Sequence, residues 1–180
     1  MFYETSKNDH GLTHDPFLSC IVPRPIGWVT TCDSAGNINL APFSFFNGVS
    51  TKPPQVMFST VGNHSDGGLK DSCRNAEESG EFVLNMATWD LREEMNITSA
   101  YLARGGGEAE CAGLTLEGSH LVAPPRVARS PIHLECRYLF SVRLPGDHLE
   151  SVAVVVFGAV TDTGDLGFQL LELQVDAGSV

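Results

Sequence analysis

P-R-P-I-G-W-V-T-T-C-D-S-A-G-N-I-N-L-A-P-F-S-F-F-N, residues 23–47, decides how the fold is read. Its first apolar run, Ile26 to Thr31, is mostly β-branched or aromatic, the composition of a pleated, largely buried strand. Asp33-Ser34-Ala35-Gly36-Asn37 then supplies polar residues and a glycine, the chemistry of a hairpin connection. The stretch therefore reads as two antiparallel strands leading into an aromatic segment. That segment, Ala41 to Asn47, mixes phenylalanine rings with Ser44, Asn47 and Pro42, whose nitrogen cannot donate to a ladder. Rings with a few placed polar groups suit a pocket for a planar, partly polar ligand, and suit a plain core strand equally well. Alternation puts Phe43 and Phe45 on one face and Phe46 on the other, so at least one ring is core.

Outward from this hairpin, strands dominate. Gln55–Val61 is a strand entered through Pro53-Pro54, and Glu81–Ala87 is launched from Gly80. Ile132–Arg143 and Ser151–Val160 form a later pair joined by L-P-G-D at 144–147. The V-A-V-V-V-F-G run at 152–158 is apolar on both faces, which predicts a central strand. Two helices interrupt. One spans 71–79 with Gly80 as its stop. The other spans 91–102 with Asp90 as N-cap and Glu93 completing a capping box. A-R-G-G-G-E at 103–108 reads as a loop. Evenly spaced short strands with few helices predict a mainly β protein built as a closed barrel. No repeat or dividing linker is visible, so residues 1–180 read as a single domain.

Composition narrows the function classes. With 42% hydrophobic and 18% charged residues, the chain has the profile of a globular domain. A net charge of −11 argues against nucleic acid or an anionic membrane as partner, because phosphate contacts need clustered Lys and Arg. The five cysteines are widely spaced with no C-x-x-C, which predicts free thiols in a reducing cytoplasm. The polar N-terminus has no apolar signal region, and the longest apolar run, Val152–Val160, is too short to span a bilayer. No hydrolytic triad or metal-ligand spacing is present. His133 reads as a hydrogen-bonded strand histidine, and His64 as a loop residue able to approach a phosphate or a nicotinamide.

P-R-P-I-G-W-V-T-T at 23–31, N-L-A-P-F-S-F-F-N at 39–47, K-D-S at 70–72 and G-E-F-V-L-N at 80–85 stand in a recognisable order and spacing. A-G-L-T-L at 112–116 and S-P-I-H-L-E-C at 130–136 continue it. Together they resemble the flavin reductase-like family, the FMN-binding split barrels that include flavoredoxin. The likeness covers about residues 15–160, and the segment 161–180 is atypical of the family. There the family usually continues with a further strand, an R-x-G-G-like motif and an aromatic residue.

The resemblance implies FMN as cofactor, with NADH or NADPH as electron donor and a homodimer carrying flavin at its interface. It places phosphate contacts at Arg24, at the hydroxyl residues Ser59 and Thr60, and at Lys70 with Ser72. Those residue types fit: Arg24 offers a bidentate fork, and Lys70-Asp71-Ser72 opens a helix whose first amides favour an anion. Each also has a plainer reading, Arg24 as a surface charge and the K-D-S run as a simple helix start. For the flavin ring the resemblance points to Trp28, Thr30 and the run containing Pro42, Phe43, Ser44 and Asn47. The function implied is an FMN-binding oxidoreductase that passes hydride from NAD(P)H to flavin and electrons onward, possessing no obligatory protein acid or base. The alternatives are a flavoredoxin-like electron-transfer flavoprotein without its own nicotinamide reaction, working with an electron-acceptor protein, and a degenerate, non-catalytic split barrel that serves binding or assembly.

Overall fold

In a computed structural model the chain is described at residues 4, 7, 9–146 and 152–161. Strands β1 (Gly27–Cys32) and β2 (Ile38–Phe43) form the expected hairpin, with Trp28 opposite Pro42. Its turn is closed by one side chain. Asp33 Oδ1 accepts from the amides of Ala35 and Asn37, both at 2.9 Å, and Oδ2 accepts from Asn37 Nδ2 at 2.8 Å. Gly36 takes the left-handed conformation, φ 87°, that this turn requires.

Beyond the hairpin come β3 (Phe46–Thr51), β4 (Pro54–Val61), β5 (Glu81–Met86), the two-residue strands β6 (Leu116–Glu117) and β7 (Arg126–Val127), β8 (His133–Leu144) and β9 (Ala153–Val160). Seven of them make one antiparallel sheet in the order β2-β1-β5-β8-β9-β4-β3. Its two edge strands, β2 and β3, are separated in the chain by Ser44 and Phe45 alone. Edges so closely tethered can belong to one sheet only if it curls until they meet. Phe43 and Phe58 pack with ring centroids 5.1 Å apart and Ser59 N donates to Phe45 O at 2.8 Å, which fastens that corner. The mainly β barrel expected from the strand spacing is therefore observed. β9 lies between β8 and β4, as a strand apolar on both faces should.

The interior holds Val29, Val56, Phe58, Phe82, Leu84, Val154 and Val156, all buried. Helix α2 (Asp71–Ser79) adds Cys73 and Ala76 to this cluster and ends at Gly80 in the left-handed region, φ 76°, with the boundaries the sequence predicts. A second cluster on the outer face of β1 gathers Trp28, Leu40, Leu91, Ala109 and Val127. β1 is thus covered on both faces, which is why Trp28, Val29, Thr30 and Thr31 are all 0% exposed.

Two local expectations are corrected. Phe43 and Phe46, not Phe43 and Phe45, pack on the interior cluster, because the bend at Ser44–Phe45 resets the alternation. The helix expected over 91–102 is a 3-10 turn (Trp89–Leu91) followed by a short α3 (Arg92–Ile97), with no side-chain cap from Asp90. It stops because Thr98 Oγ1 donates back to Met95 O at 2.8 Å and Ser99 Oγ to Asn96 O at 2.6 Å, hydroxyl bonds that compete with helical ones. Short helices α1 (Pro16–Cys20) and α4 (Glu108–Cys111) complete the fold. α1 has a legible start, Asp15 accepting from the amides of Phe17 and Leu18 ahead of Pro16. The linker at 147–150 and the atypical C-terminal segment beyond Thr161 lie outside the described residues.

Packing between β9 and β5 tests the barrel directly. A Cβ on Gly158 would stand 2.6 Å from Phe82 Cε1, closer still to its Cζ, and 3.3 Å from Arg137 O. Gly158→Ala is expected to cost about 1–3 kcal/mol in urea unfolding, since Phe82 is fully buried and cannot retreat. An unchanged midpoint would contradict this packing.

Candidate functional site

Closure of the barrel brings the end of β2 against the start of α2, and between them lies a cleft of about 130 Å³. Its walls are residues 41–43 of β2, residues 70–72 at the helix start, the chain from 98 to 102, His64 and Glu108. The truncated α3 explains the third wall: a helix continued to residue 102 would carry these residues elsewhere. Trp28 Nε1 donates to Thr98 Oγ1 at 2.9 Å and anchors that wall to β1.

The helix start suits an anion. No side chain caps α2, so its first amides keep their donors and the positive dipole end faces the cleft. Ser72, 2% exposed, accepts from Asn39 Nδ2 at 2.7 Å, which leaves its own hydroxyl proton to donate. Lys70 lies with Nζ 3.9 Å from the ring centroid of Tyr101, and among the described residues it forms no ion pair with a carboxylate.

Asp71 would oppose an anion but is neutralised. Arg104 pairs with it through Nη1 and holds Asp66 through Nε at 2.6 Å and Nη2 at 2.9 Å. The same guanidinium donates to the carbonyls of Gly67 and Leu69, both at 3.1 Å, so one side chain fixes the loop leading into α2. His64 sits inside this arrangement, with Nδ1 2.7 Å from Asp66 Oδ1 and Nε2 3.6 Å from Asp71 Oδ2. Glu108 is 8% exposed and forms no ion pair among the described residues, and burial pushes its carboxyl above the usual range.

Of the residues singled out in the sequence, Pro42, Phe43, Lys70 and Ser72 meet in this cleft. Trp28 and Thr30 are wholly buried beneath it, where Thr30 Oγ1 accepts from Asn85 Nδ2 at 2.8 Å. Thr60 is 1% exposed in β4. Ser44 and Ser59 belong to the β2–β3 corner and its partner strand and do not line the cleft. Asn47 is exposed, with its side-chain oxygen accepting from the amide of Gly48. Arg24 is turned toward α1, donating to the carbonyls of Leu18 at 2.6 Å and Ile21 at 2.9 Å, and stands 6.0 Å from the Phe45 ring centroid. Asn39, Tyr101, Arg104 and Glu108 belong to the site without having stood out in the sequence. Only the glycines around Arg104 hinted at them: Gly105 and Gly107 adopt positive φ and shape the turn that delivers Glu108.

A family model described as "Flavin reductase like domain" matches residues 18–170. The chain belongs to the flavin reductase-like family. The match passes beyond Val160 into the segment read as atypical. An uncharacterised protein of Aquifex aeolicus is 40% identical over 137 residues, 76% of this chain and 69% of the relative. Among solved structures, nitrilotriacetate monooxygenase component B from Bacillus cereus superposes with TM-score 0.78 at 28% identity, covering 90% of this chain and 80% of that one. A split barrel domain from Shewanella frigidimarina gives TM-score 0.73 at 19% identity over 90% of this chain and 78% of the other, a likeness of fold. The barrel is thus a split barrel, and the family is one of flavin-binding proteins. No helix among the described residues is long and apolar enough to cross a membrane.

Arg104 holds the Asp66 carboxyl down to about 2. That tie is at full strength above the ordinary unfolded value, about 3.9, and is lost as pH falls toward the depressed one. Carboxyl-carbon NMR should show Asp66 titrating near 2 in the native protein. Arg104→Gln should return it toward about 3.9. An Asp66 midpoint indifferent to that substitution would show that the clamp is absent.

Proposed function

We propose that the chain is an FMN-dependent oxidoreductase of the flavin reductase type, using NADH or NADPH as electron donor. The observation that carries this is the meeting, in one cleft, of an uncapped helix start bearing Lys70 and Ser72 with the Ala41–Phe43 end of β2. The first supplies what a phosphate needs, a free cation and several N–H and O–H donors in a protein otherwise acidic. The second offers an apolar edge and backbone groups suited to a flat, heteroatom-rimmed ring. Bound flavin would supply acceptance of a hydride and onward delivery of electrons. The protein's share is position and field: Lys70 and the α2 amides hold the charged end, Pro42 and Phe43 border the ring, and Trp28 keeps Thr98 and its wall in place. Arg24, Ser59, Thr60, Ser44 and Asn47 are proposed as further contacts of the same ligand, to be tested individually because they stand off the cleft.

A homodimer is part of the proposal. A cleft of about 130 Å³ takes only a portion of a flavin nucleotide, since pockets enclosing ligands of that size run to roughly 300–1,000 Å³. A second chain is the natural source of the missing wall. Phe140, Val142 and Leu144, alternate residues on one face of β8, are all more than two-fifths exposed and form an apolar stripe suited to it. Five free cysteines accord with a cytoplasmic setting.

Anaerobic stopped-flow mixing of FMN-loaded protein with NADH, and separately NADPH, is expected to bleach flavin absorbance with at least one donor. Bleaching by neither would remove the reductase reading and leave a flavin carrier reduced by a partner protein. Lys70→Ala should weaken FMN about tenfold or more and riboflavin little, because only FMN carries the phosphate. Equal losses would misplace the phosphate site, and sedimentation as a monomer would sink the dimer.

A further inference from the structure

Glu108 is a carboxyl in a place that ionised carboxyls avoid. It is the first residue of α4, 8% exposed, on the wall of the cleft. Its own backbone amide and the edge-strand amide of Leu40, the latter a long 3.4 Å from Oε2, both donate toward its carboxyl, and no lysine or arginine pairs with it among the described residues. A buried carboxylate is tolerated when several good donors or a cation compensate its desolvation. Here neither does.

The other charged and titratable groups facing the cleft do not reverse this. From α2 come Lys70, whose ammonium stands over Tyr101, and Asp71, which is paired with Arg104 and still acts on Glu108 through its charge. From the preceding loop comes His64, engaged by Asp66 and Asp71. The 98–102 wall contributes Tyr101, and β2 contributes no titratable side chain to the lining. On α4 itself Glu110 lies beside Gly107, adding another acid. Burial is the largest influence on Glu108 and raises its carboxyl above the ordinary range, and the Asp71 charge adds to it.

We propose that Glu108 sets the charge preference of the cleft: uncharged, it admits a phosphorylated flavin, and ionised, it disfavours that ligand relative to an unphosphorylated one. The proposal rests on the flavin reading above and deepens it, making Glu108 a specificity-determining residue. The physical basis is direct. A phosphate with nearly two negative charges and an ionised carboxylate on the wall of the same cleft repel, the more so because Glu108 is itself largely removed from water. Held neutral, the carboxyl removes that repulsion and can donate a hydrogen bond in its place. The sign follows: tolerance of the anion is complete at low pH and is lost as pH rises through the elevated value. A merely structural Glu108, covering the Leu40 amide, would be served as well by glutamine and would impose no such dependence.

The test measures dissociation constants of FMN and of riboflavin by flavin fluorescence quenching, from about pH 4.5, the ordinary carboxyl range, to about pH 9, for the full chain and for Glu108→Gln. In the native protein the preference for FMN over riboflavin is expected to fall by about tenfold or more across that range. In Glu108→Gln, always uncharged, the preference should stay nearly level. Every other pH-dependent group, the FMN phosphate included, is common to both proteins, so their difference isolates Glu108. Parallel profiles would overturn the role of Glu108 while leaving the flavin site intact. Failure of the native protein to bind either ligand would remove the flavin reading and this inference with it. Should the glutamine variant prove unfolded by circular dichroism, Glu108→Met, uncharged and of similar length, makes the same comparison.

Discussion

Ser44 and Phe45, the only residues between the two edge strands, impose the geometry on which the site depends. A sheet whose edges are joined so tightly must curl, and curling sets the exit of β2 beside the entrance of α2. Helix α2 then has one available position, with Cys73 and Ala76 in the barrel interior and its first turn at the surface. Apolar burial of one helical face thereby aims the positive end of the helix dipole at the aromatic end of β2. The cleft is a by-product of closing the barrel, and the ligand-binding chemistry comes from what lines it.

Charge management around that cleft follows from scarcity. A chain with 11 basic residues against 22 acidic ones cannot line a phosphate site with cations. Arg104 is committed to Asp66 and Asp71, and Arg74 stands 3.7 Å from Asp71. These ties neutralise the acids nearest the helix start and leave Lys70 over the Tyr101 ring, in no ion pair among the described residues. Such an ammonium over a ring is held by a modest attraction and can be redirected toward a stronger, anionic partner. Glu108 belongs to the same economy, since burial favours its uncharged form, which costs the field nothing.

The fold was legible where the signal is local or periodic. Asp33 to Asn37 announced the hairpin, the two-faced apolar run at 152–158 announced a central strand, and Gly80 marked the end of α2. Alternation misled at Phe45 because a two-residue bend resets the phase, a constraint imposed by closure and absent from the local pattern. The helix expected over 91–102 fell short because Thr98 and Ser99 turned their hydroxyls onto the preceding carbonyls, with the Trp28 indole as a distant accomplice. Within the site, Lys70 and Ser72 were readable from the K-D-S run, whereas Arg104 was not. Its partners lie 33 and 38 positions away, and no spacing rule links a glycine-rich loop to acids at that range. Glu108 was hidden for a similar reason: beside three glycines a glutamate reads as solvated, and only the packed chain shows it buried.

The central claim, that the cleft between β2 and α2 receives flavin mononucleotide, is tested most directly by following backbone amide resonances during FMN addition. Large, saturable shifts at residues 41–43, 70–72 and 98–102, with small ones around α1, are what the account predicts. Shifts confined to the Arg24 and α1 side of the barrel, or none at saturating FMN, would contradict it.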